Sequence, residues 1–506
     1  MSEDSVKKCF AAMRTDGLGE RLRAMINAMI LADHFDVDFK FTWEQRAGGG
    51  AQHHAVLSAR QTFNAPFMSR HFLGIRSITA GYPVLEGRKL PPEEIKRLLD
   101  AAPKGLRVNQ EPINRLIDLR EPKHLRGMYK RAFRRIRFTR DVQKAIDAAW
   151  TVPLPDRVVA VHLRAGDIVY GHFRFSATAT AKVVCYPVVK RLISDLIAQG
   201  KTPLLFGQDR VVCRMLADRF NIKLAAEVLP QDDALAAAMN EIVLMSRCEE
   251  IHAGSSGFSI LAAFMGSKER RVPGAGWTAQ QVVDCILGDD EIDDPDSPLP
   301  DLQRAFAFYM IAYSGMGVVD DNIVISALGK ALHFDPGNAF YGLHKANLEI
   351  VNLDPDSAET TLRSTLAVVP ADTPFEETLP YVTVRRAIVK RGLKERLALF
   401  PCLEVFTTHA SAERPYTSYV AGLAAYVGGD MAKAVQLASL ALIQEGDNPW
   451  FRRLLDLAIL AKEKSDPEPP QAAPLSDEVV VEEPILPVSQ GDSVGEKFKA
   501  LFKRMF

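Results

Sequence analysis

The chain has 506 residues and a formal net charge of −1, with 62 Lys and Arg against 63 Asp and Glu, so no overall field draws it to nucleic acid or to an anionic membrane. At 47% hydrophobic and 25% charged residues it has an ordinary globular composition, and its length calls for roughly two to four domains. The six cysteines (Cys9, Cys185, Cys213, Cys248, Cys285, Cys402) are scattered without CxxC spacing, which argues against a zinc site or a disulfide framework and for a reducing compartment.

The opening "MSEDSVKKCF" is acidic and has no apolar core, so it predicts no secretory signal, and no uncharged run reaches the roughly 18 residues of a membrane span. Cytoplasmic location follows as the expectation.

"VKKCFAAM" predicts a strand and "RTDGLGERL" a glycine loop. "LGERLRAMINAMILADHF" follows with Leu18, Leu22, Met25, Ile26, Met29 and Ile30 at helical spacing. "DVDFKFTW" alternates: Val37, Phe39, Phe41 and Trp43 share one face, and Asp36, Asp38, Lys40 and Thr42 the other. This strand–loop–helix–strand order opens a nucleotide-binding type of α/β lobe over residues 1–145.

Residues 146–290 repeat the logic. "RVVAVHL" is a continuous apolar run, the pattern of a strand buried on both faces. "VVCYPVVKRLISDLIAQG" reads as a helix stopped by Gly200, "TPLLFGQD" as a second buried strand, and "RVVCRMLADRF" as the helix after it. "ALAAAMNEIVLMSRC" is a helix, and "EEIHAGSSGFSILAAFMG" is strand, small-residue loop, helix. The fold class predicted is α/β: a pair of Rossmann-type lobes facing one cleft.

"LGDDEIDDPDSPLPD" (287–301) is acidic and Pro-bearing and reads as a linker, with 291–301 as its body. Residues 302–464 are helix-like throughout. "ALHFDPGNAF" and "TLAVVPADTPF" align Leu332 with Leu366 and Pro336 with Pro370, a period of 34 that matches tetratricopeptide repeats and predicts an all-α superhelix. Residues 465–492, rich in Pro, Asp and Glu, predict disorder. Residues 493–506 predict a short basic amphipathic helix, with Phe498, Leu501, Phe502 and Met505 on one face, suited to a membrane surface or a partner protein.

Three strand-end loops carry the candidate chemistry. In open α/β sheets ligands bind at the carboxyl ends of strands. "VVAVHL" ends where Arg164, Gly166 and Asp167 begin; the arginine can grip a phosphate through two parallel bonds, and Gly166 lets the backbone turn. His162 alternates with Arg164 on one strand face. An Arg164–Asp167 salt bridge beside a core histidine is the plain alternative. "TDGLGER", with Gly17 and Gly19, precedes a helix whose amides attract anions, or is a tight turn capped by Asp16. "HAGSSGFS" offers Ser255, Ser256 and Ser259 at another helix start, where serines are commonly caps. Glu20 reads as an acid placed in a first helical turn by the helix dipole. His53 and His54 in "GGGAQHHAV" either meet an acceptor or lie on a solvated loop. The basic stretch "HLRGMYKRAFRRIRFTR" (124–140) reads as the solvated face of a helix bridging the two lobes, without the aromatic interleaving of a nucleic-acid binder.

In their order, "GLGERL", "HLRAGD", "LFGQD" and "LMSRCEEIHAGSSGFSILAAFMG" resemble the GDP-fucose-dependent fucosyltransferase superfamily over about residues 10–275. The resemblance implies a metal-independent, inverting enzyme of the GT-B type, with no cofactor beyond a GDP-sugar donor. It implies that Arg164 holds the donor diphosphate, that Asp209 follows the second motif strand, and that Ser255, Ser256 and Phe258 line the nucleotide-sugar pocket. Glu20 or Asp167 would take the acceptor proton. The family's second motif arginine is Ala165 here. That departure favours the alternative of a catalytically degenerate transferase fold whose repeats serve as an interaction scaffold. The partners expected are a nucleotide sugar and a glycan or protein acceptor, recruited by the repeats. The tail makes attachment at the inner face of a bacterial membrane the alternative to a free cytoplasmic protein.

Overall fold

The computed structural model describes residues 7–46, 56–85, 89–118, 127–175, 180, 182–367, 373–389 and 403–465. His53, His54 and the tail from 466 onward lie outside the described residues. The chain divides into two compact units, Met1–His172 with Ala179–Gly276, and Phe173–Thr178 with Trp277–Phe506.

The first unit opens with β1 (Cys9–Ala12), β2 (Asp38–Thr42), β3 (Phe72–Gly74), β4 (Val84–Leu85) and β5 (Gly105–Val108), all parallel in the order β3-β2-β1-β5-β4. Its helices are α1 (Leu18–Phe35), α2 (Ala59–Thr62), α3 (Ala65–His71), α4 (Pro92–Ala101), α5 (Ile113–Leu116), α6 (Met128–Arg135) and α7 (Arg140–Thr151). The expected alternation of β2 is present in part: Phe39, Phe41 and Trp43 are buried, with Phe41 meeting the ring of Phe63 edge-on at 5.1 Å, but Thr42, expected on the other face, is buried as well. α1 is buried on nearly every side from Arg21 to Ala32, because it packs on β1, β2 and β5 and also on α6. A helix enclosed in this way can be apolar all round.

A second parallel sheet follows: β6 (Val158–Leu163), β7 (Thr202–Gly207), β8 (Lys223–Leu224), β9 (Glu250–Ala253) and β10 (Arg270–Arg271), in the order β10-β9-β6-β7-β8. All six residues of β6 are buried, as its unbroken apolar run requires. Its helices are α8 (Gly166–Val169), α9 (Tyr186–Ala198), α10 (Arg210–Phe220), α11 (Ala225–Val228), α12 (Ala234–Arg247) and α13 (Gly257–Gly266). One apolar cluster runs without a break from Phe10, Leu22 and Ile26 to Met239, Leu261 and Met265. Each such side chain fully withdrawn from water contributes about 1.5–3 kcal/mol, so the shared core holds the two lobes as one body.

The helical unit holds α14 (Ala279–Leu287), α15 (Asp301–Gly315), α16 (Asp321–Phe334), α17 (Ala339–Val351), α18 (Pro355–Leu366), α19 (Leu379–Val389), α20 (Leu403–His409), α21 (Pro415–Gly428), α22 (Met431–Gln444) and α23 (Pro449–Ser465). It begins at Trp277 rather than after residue 290, because α14 packs on α15. The acidic stretch expected as a tether is packed instead. Ile292 and Leu299 are buried, and Arg304 donates to the carbonyls of Ile292 (2.9 Å) and Asp294 (2.8 Å). Two apolar anchors inside an acidic run are enough to hold it down. Three helical hairpins follow, α15/α16, α17/α18 and α21/α22, and an aspartate caps the second helix of each: Asp320, Asp354 and Asp430.

Candidate functional site

In each sheet the strand order reverses at the first strand. β1 lies between β2 and β5, and β6 lies between β7 and β9. Connections leave these neighbours to opposite sides, which opens a crevice beyond their carboxyl ends. The loops singled out in the sequence leave from those ends: the Gly17–Gly19 loop from β1, the Arg164 loop from β6 and the serine loop from β9.

Arg164 follows Leu163 at the end of β6 and is half-buried. The backbone then bends sharply: Ala165 has φ −130° and ψ −76°, and Gly166 takes φ +27°, in the left-handed range where a side chain is strained. Ala165 is 2% exposed. An arginine there would bring a cation into a buried slot, so the departure from the family motif matches the local packing. Asp167 falls in the same short turn, and its side chain lies outside the described residues.

His162 is buried, and its ring stacks on Phe258 at 5.8 Å and 16°. That contact joins the end of β6 to the first turn of α13. Ser255 is exposed, whereas Ser256 is buried at the α13 N-cap without a side-chain cap bond. Its hydroxyl has no hydrogen-bond partner among the described residues. Ser259 is turned inward and donates to the Ser256 carbonyl at 3.1 Å. The first-turn amides of α13 therefore carry no serine side-chain cap, the form in which a helix N-terminus attracts an anion.

Asp209 serves the fold. It caps α10, accepting from the Val212 amide at 3.1 Å, and it accepts the Tyr170 hydroxyl. It thereby holds the chain that follows Arg164. Nearby, Glu241 on α12 has its pKa pushed up to about 7 by burial, and its charge is felt by Cys213 together with that of Asp209. The sequence reading did not single it out, because a glutamate inside a helix carries no signal of its depth.

On the facing lobe Gly17 is the N-cap of α1, and Asp16 does not cap it; Arg14 takes the Asp16 carboxylate, at 3.2 Å through Nε. The loop is held by a residue the sequence reading passed over. Arg21, 2% exposed, donates to the carbonyls of Asp16 (2.6 Å), Thr15 (2.7 Å) and Glu44, and lies over the Trp43 ring. Burial lowers its pKa, opposed by Asp16 and Glu44. With apolar residues wrapping almost all of α1, the helix has no polar face on which to place Arg21, and that was the one available clue.

The two lobes touch where the first turn of α1 meets the first turn of α13. A methyl group added to Gly19 would stand 2.7 Å from the Gly257 carbonyl carbon and 2.8 Å from the Phe258 amide nitrogen. Only a residue without Cβ lets the first turns of α1 and α13 approach this closely. Glu20 packs over Gly257 and pairs with Arg23 at 2.8 Å. Arg23 is 5% exposed, and its charge adds to the lowering of the Arg270 pKa, which is due first to burial. Arg270 donates to the Ala253 carbonyl at the end of β9 (2.7 Å), so both cations sit beside the serine loop. Asn27 donates to the carbonyls of Asn109 (2.9 Å) and Glu111 (2.6 Å) just past β5. Its own Oδ1 and the Oε1 of Gln110 have no partner among the described residues.

Two hollows lie elsewhere: one of about 450 Å³ lined by Arg134, Phe138 and Trp150 on α6 and α7, and one of about 210 Å³ in the helical unit lined by Tyr416, Tyr419 and Trp450. Neither is lined by a strand-end residue. The basic stretch matches its bland expectation: α6 packs against both α1 and α13, and Lys130 and Arg134 lie over the Trp150 ring. Among the described residues, no three His, Cys, Asp or Glu side chains could hold a metal together, and no helix is long and apolar enough to cross a membrane.

Two parallel sheets with their switch points apposed through α1 and α13 define a two-lobed α/β protein of the double Rossmann type, here joined to a helical unit. Among solved structures the chain is similar to POFUT1 in its apo form, at TM-score 0.29 and 10% identity over 54% of this chain and 99% of that one. It is likewise similar to the fucosyltransferase NodZ from Bradyrhizobium, at TM-score 0.31 and 14% identity over 51% and 92% of the two chains. A mutant of Arabidopsis thaliana FUT1 in complex with GDP gives TM-score 0.35 and 11% identity over 54% of this chain and 71% of that one. No family model and no curated protein matches.

Proposed function

We propose that the chain is an inverting, metal-independent glycosyltransferase that moves a sugar, fucose from GDP-fucose, onto a hydroxyl of a glycan or protein. One observation supports this reading: Arg164 and the serine loop leave the ends of neighbouring strands at the switch point of one sheet, and Gly19 at the start of α1 packs against Gly257 and Phe258 at the start of α13. A diphosphate seated there would meet a guanidinium and helix amides that no serine side chain caps. The acceptor oxygen forms its bond to the anomeric carbon as the bond from that carbon to the diphosphate oxygen breaks. The electron pair leaves with the nucleoside diphosphate, whose growing charge Arg164 offsets. The acceptor proton goes to a carboxylate, for which Glu20 and Asp167 are the candidates. Of the two, Glu20 is paired with Arg23. Gly17, Gly19, His162, Gly166, Asp209, Ser255, Ser256 and Phe258 complete the proposed donor site. Of these, Asp209 acts through Tyr170 and α10, and His162 and Phe258 act as a stacked pair.

The helical hairpins are read as tetratricopeptide-like repeats that recruit an acceptor protein. The second reading, a transferase fold kept as a scaffold, draws its support from the buried Ala165 where the motif calls for a cation. Calorimetric titration with GDP, UDP and ADP separates the two. The enzyme reading expects GDP binding that Arg164→Ala weakens at least about 100-fold, the loss of roughly 2.7 kcal/mol. A wild-type chain that binds none of the three, or a variant that binds GDP as well as wild type, overturns it.

A further inference from the structure

The chain that carries Arg164 does not end its course in the α/β unit. After α8 it passes Tyr170, anchored on Asp209, and enters a short 3₁₀ turn over His172–Phe175. From Phe173 to Thr178 it belongs to the helical unit. There Arg174 stands 3.2 Å from Asp335, which is 6% exposed in the turn between α16 and α17. Phe175 is buried in turn, under the Arg174 guanidinium at 4.4 Å.

The turn that receives Arg174 has a second copy among the described residues. Asn338 caps α17 through the amides of Phe340 (3.2 Å) and Tyr341 (3.4 Å), and donates to Asp335 at 2.9 Å. Asn448 caps α23 through Trp450 (3.1 Å) and Phe451 (3.4 Å), and donates to Glu445 at 3.4 Å. In each copy an acid stands three residues before the capping asparagine and two aromatic amides follow it. The second acid, Glu445, pairs with Arg363 of the neighbouring hairpin and accepts from Tyr416 at 3.0 Å. The first acid takes Arg174. The strand-end segment thus fills the place that a helix of the array fills in the other copy.

We propose that Asp335 is a positioning residue for the Arg164 loop, so that ligand affinity at the strand ends depends on the helical unit through Arg174. The link is short. Three residues lie between Tyr170 and Arg174, so the two anchors are joined by four Cα–Cα steps that span at most roughly 14 Å. A partner that shifts this turn would change donor binding without touching the donor. This rests on the reading of Arg164 as the donor-binding group.

The test uses the full chain and two readouts, the GDP dissociation constant and hydrogen exchange of the segment 164–172. Asp335→Asn is expected to weaken GDP at least 10-fold and to raise exchange in that segment. Arg174→Gln, which leaves the Asp335–Asn338 bond in place, does the same if Asp335→Asn folds poorly, and Arg174→Lys restores part of the effect. Glu445→Gln disturbs the other copy of the turn and is expected to leave both readouts within twofold of wild type. Unchanged exchange in both Arg174→Gln and Asp335→Asn overturns the proposal, as does an equal loss in Glu445→Gln, which would mark a general loss of helical stability. If wild type binds no GDP, the functional reading fails alone, since exchange still decides the coupling.

Discussion

Gly19 is the position at which a single methyl group tests the apposition of the lobes. Gly19→Ala would bring a Cβ to 2.7–2.8 Å from three backbone atoms of Gly257 and Phe258. Ordinary contact begins near 3.4 Å, so α1 and α13 must separate by about 0.6–0.7 Å, and neither side can yield by rotating a side chain. Such overpacking costs about 1–3 kcal/mol, set against at most about 1 kcal/mol gained from replacing glycine in a helix. A net loss of about 1–2 kcal/mol in urea unfolding of the α/β unit is the expected result. GDP affinity should fall with it, because the glycine loop and the serine loop are moved apart. Gly17→Ala is the internal control, since nothing lies within 4 Å of its Cβ and its φ is −65°. It forfeits only part of a cap preference, about 0.5 kcal/mol. Equal stability for Gly19→Ala and Gly17→Ala would refute the claim that the two helix starts meet.

Three further outcomes follow from the same reasoning. His344 is enclosed by Phe340 and Tyr309, neither ring nitrogen has a partner among the described residues, and burial lowers its pKa to about 3. The unfolded chain therefore binds the extra proton between about pH 6.5 and 3, so helical-unit stability falls as pH drops through that window, by about 2 kcal/mol at pH 5. Urea titrations at pH 7.5 and 5 should show this loss in wild type and not in His344→Leu; parallel pH slopes would refute it. The buried Glu359 accepts from the amides of Tyr416 and Thr417 and from the Thr417 hydroxyl, each at 2.8 Å, and so ties α18 to the start of α21. Glu359→Ala should cost about 3 kcal/mol in calorimetric unfolding of the helical unit, and a change below about 0.5 kcal/mol would mean that water replaces those bonds. Arg21→Lys should be nearly as damaging as Arg21→Met, about 2–3 kcal/mol, because one ammonium cannot reach three carbonyls in different directions; full recovery by lysine would show that charge alone matters there.

The sequence by itself determined the elements and their local chemistry. The apolar spacing of residues 18–35 marks α1, and the unbroken run before Arg164 marks β6 as a strand covered on both faces. Their order implies two parallel sheets, since periodicity and glycine placement are local properties that a chain carries into any environment. Only the tertiary structure decided what those elements meet. It brought Gly19 against Gly257, turned Arg21 onto three carbonyls, used Asp209 as a cap, and packed the acidic stretch around Ile292 against Arg304. It also carried Arg174 from the motif segment to Asp335, more than 150 residues along the chain. Such pairings depend on close packing between distant segments, where a few tenths of an ångström decide whether a side chain fits, and no local pattern encodes that distance.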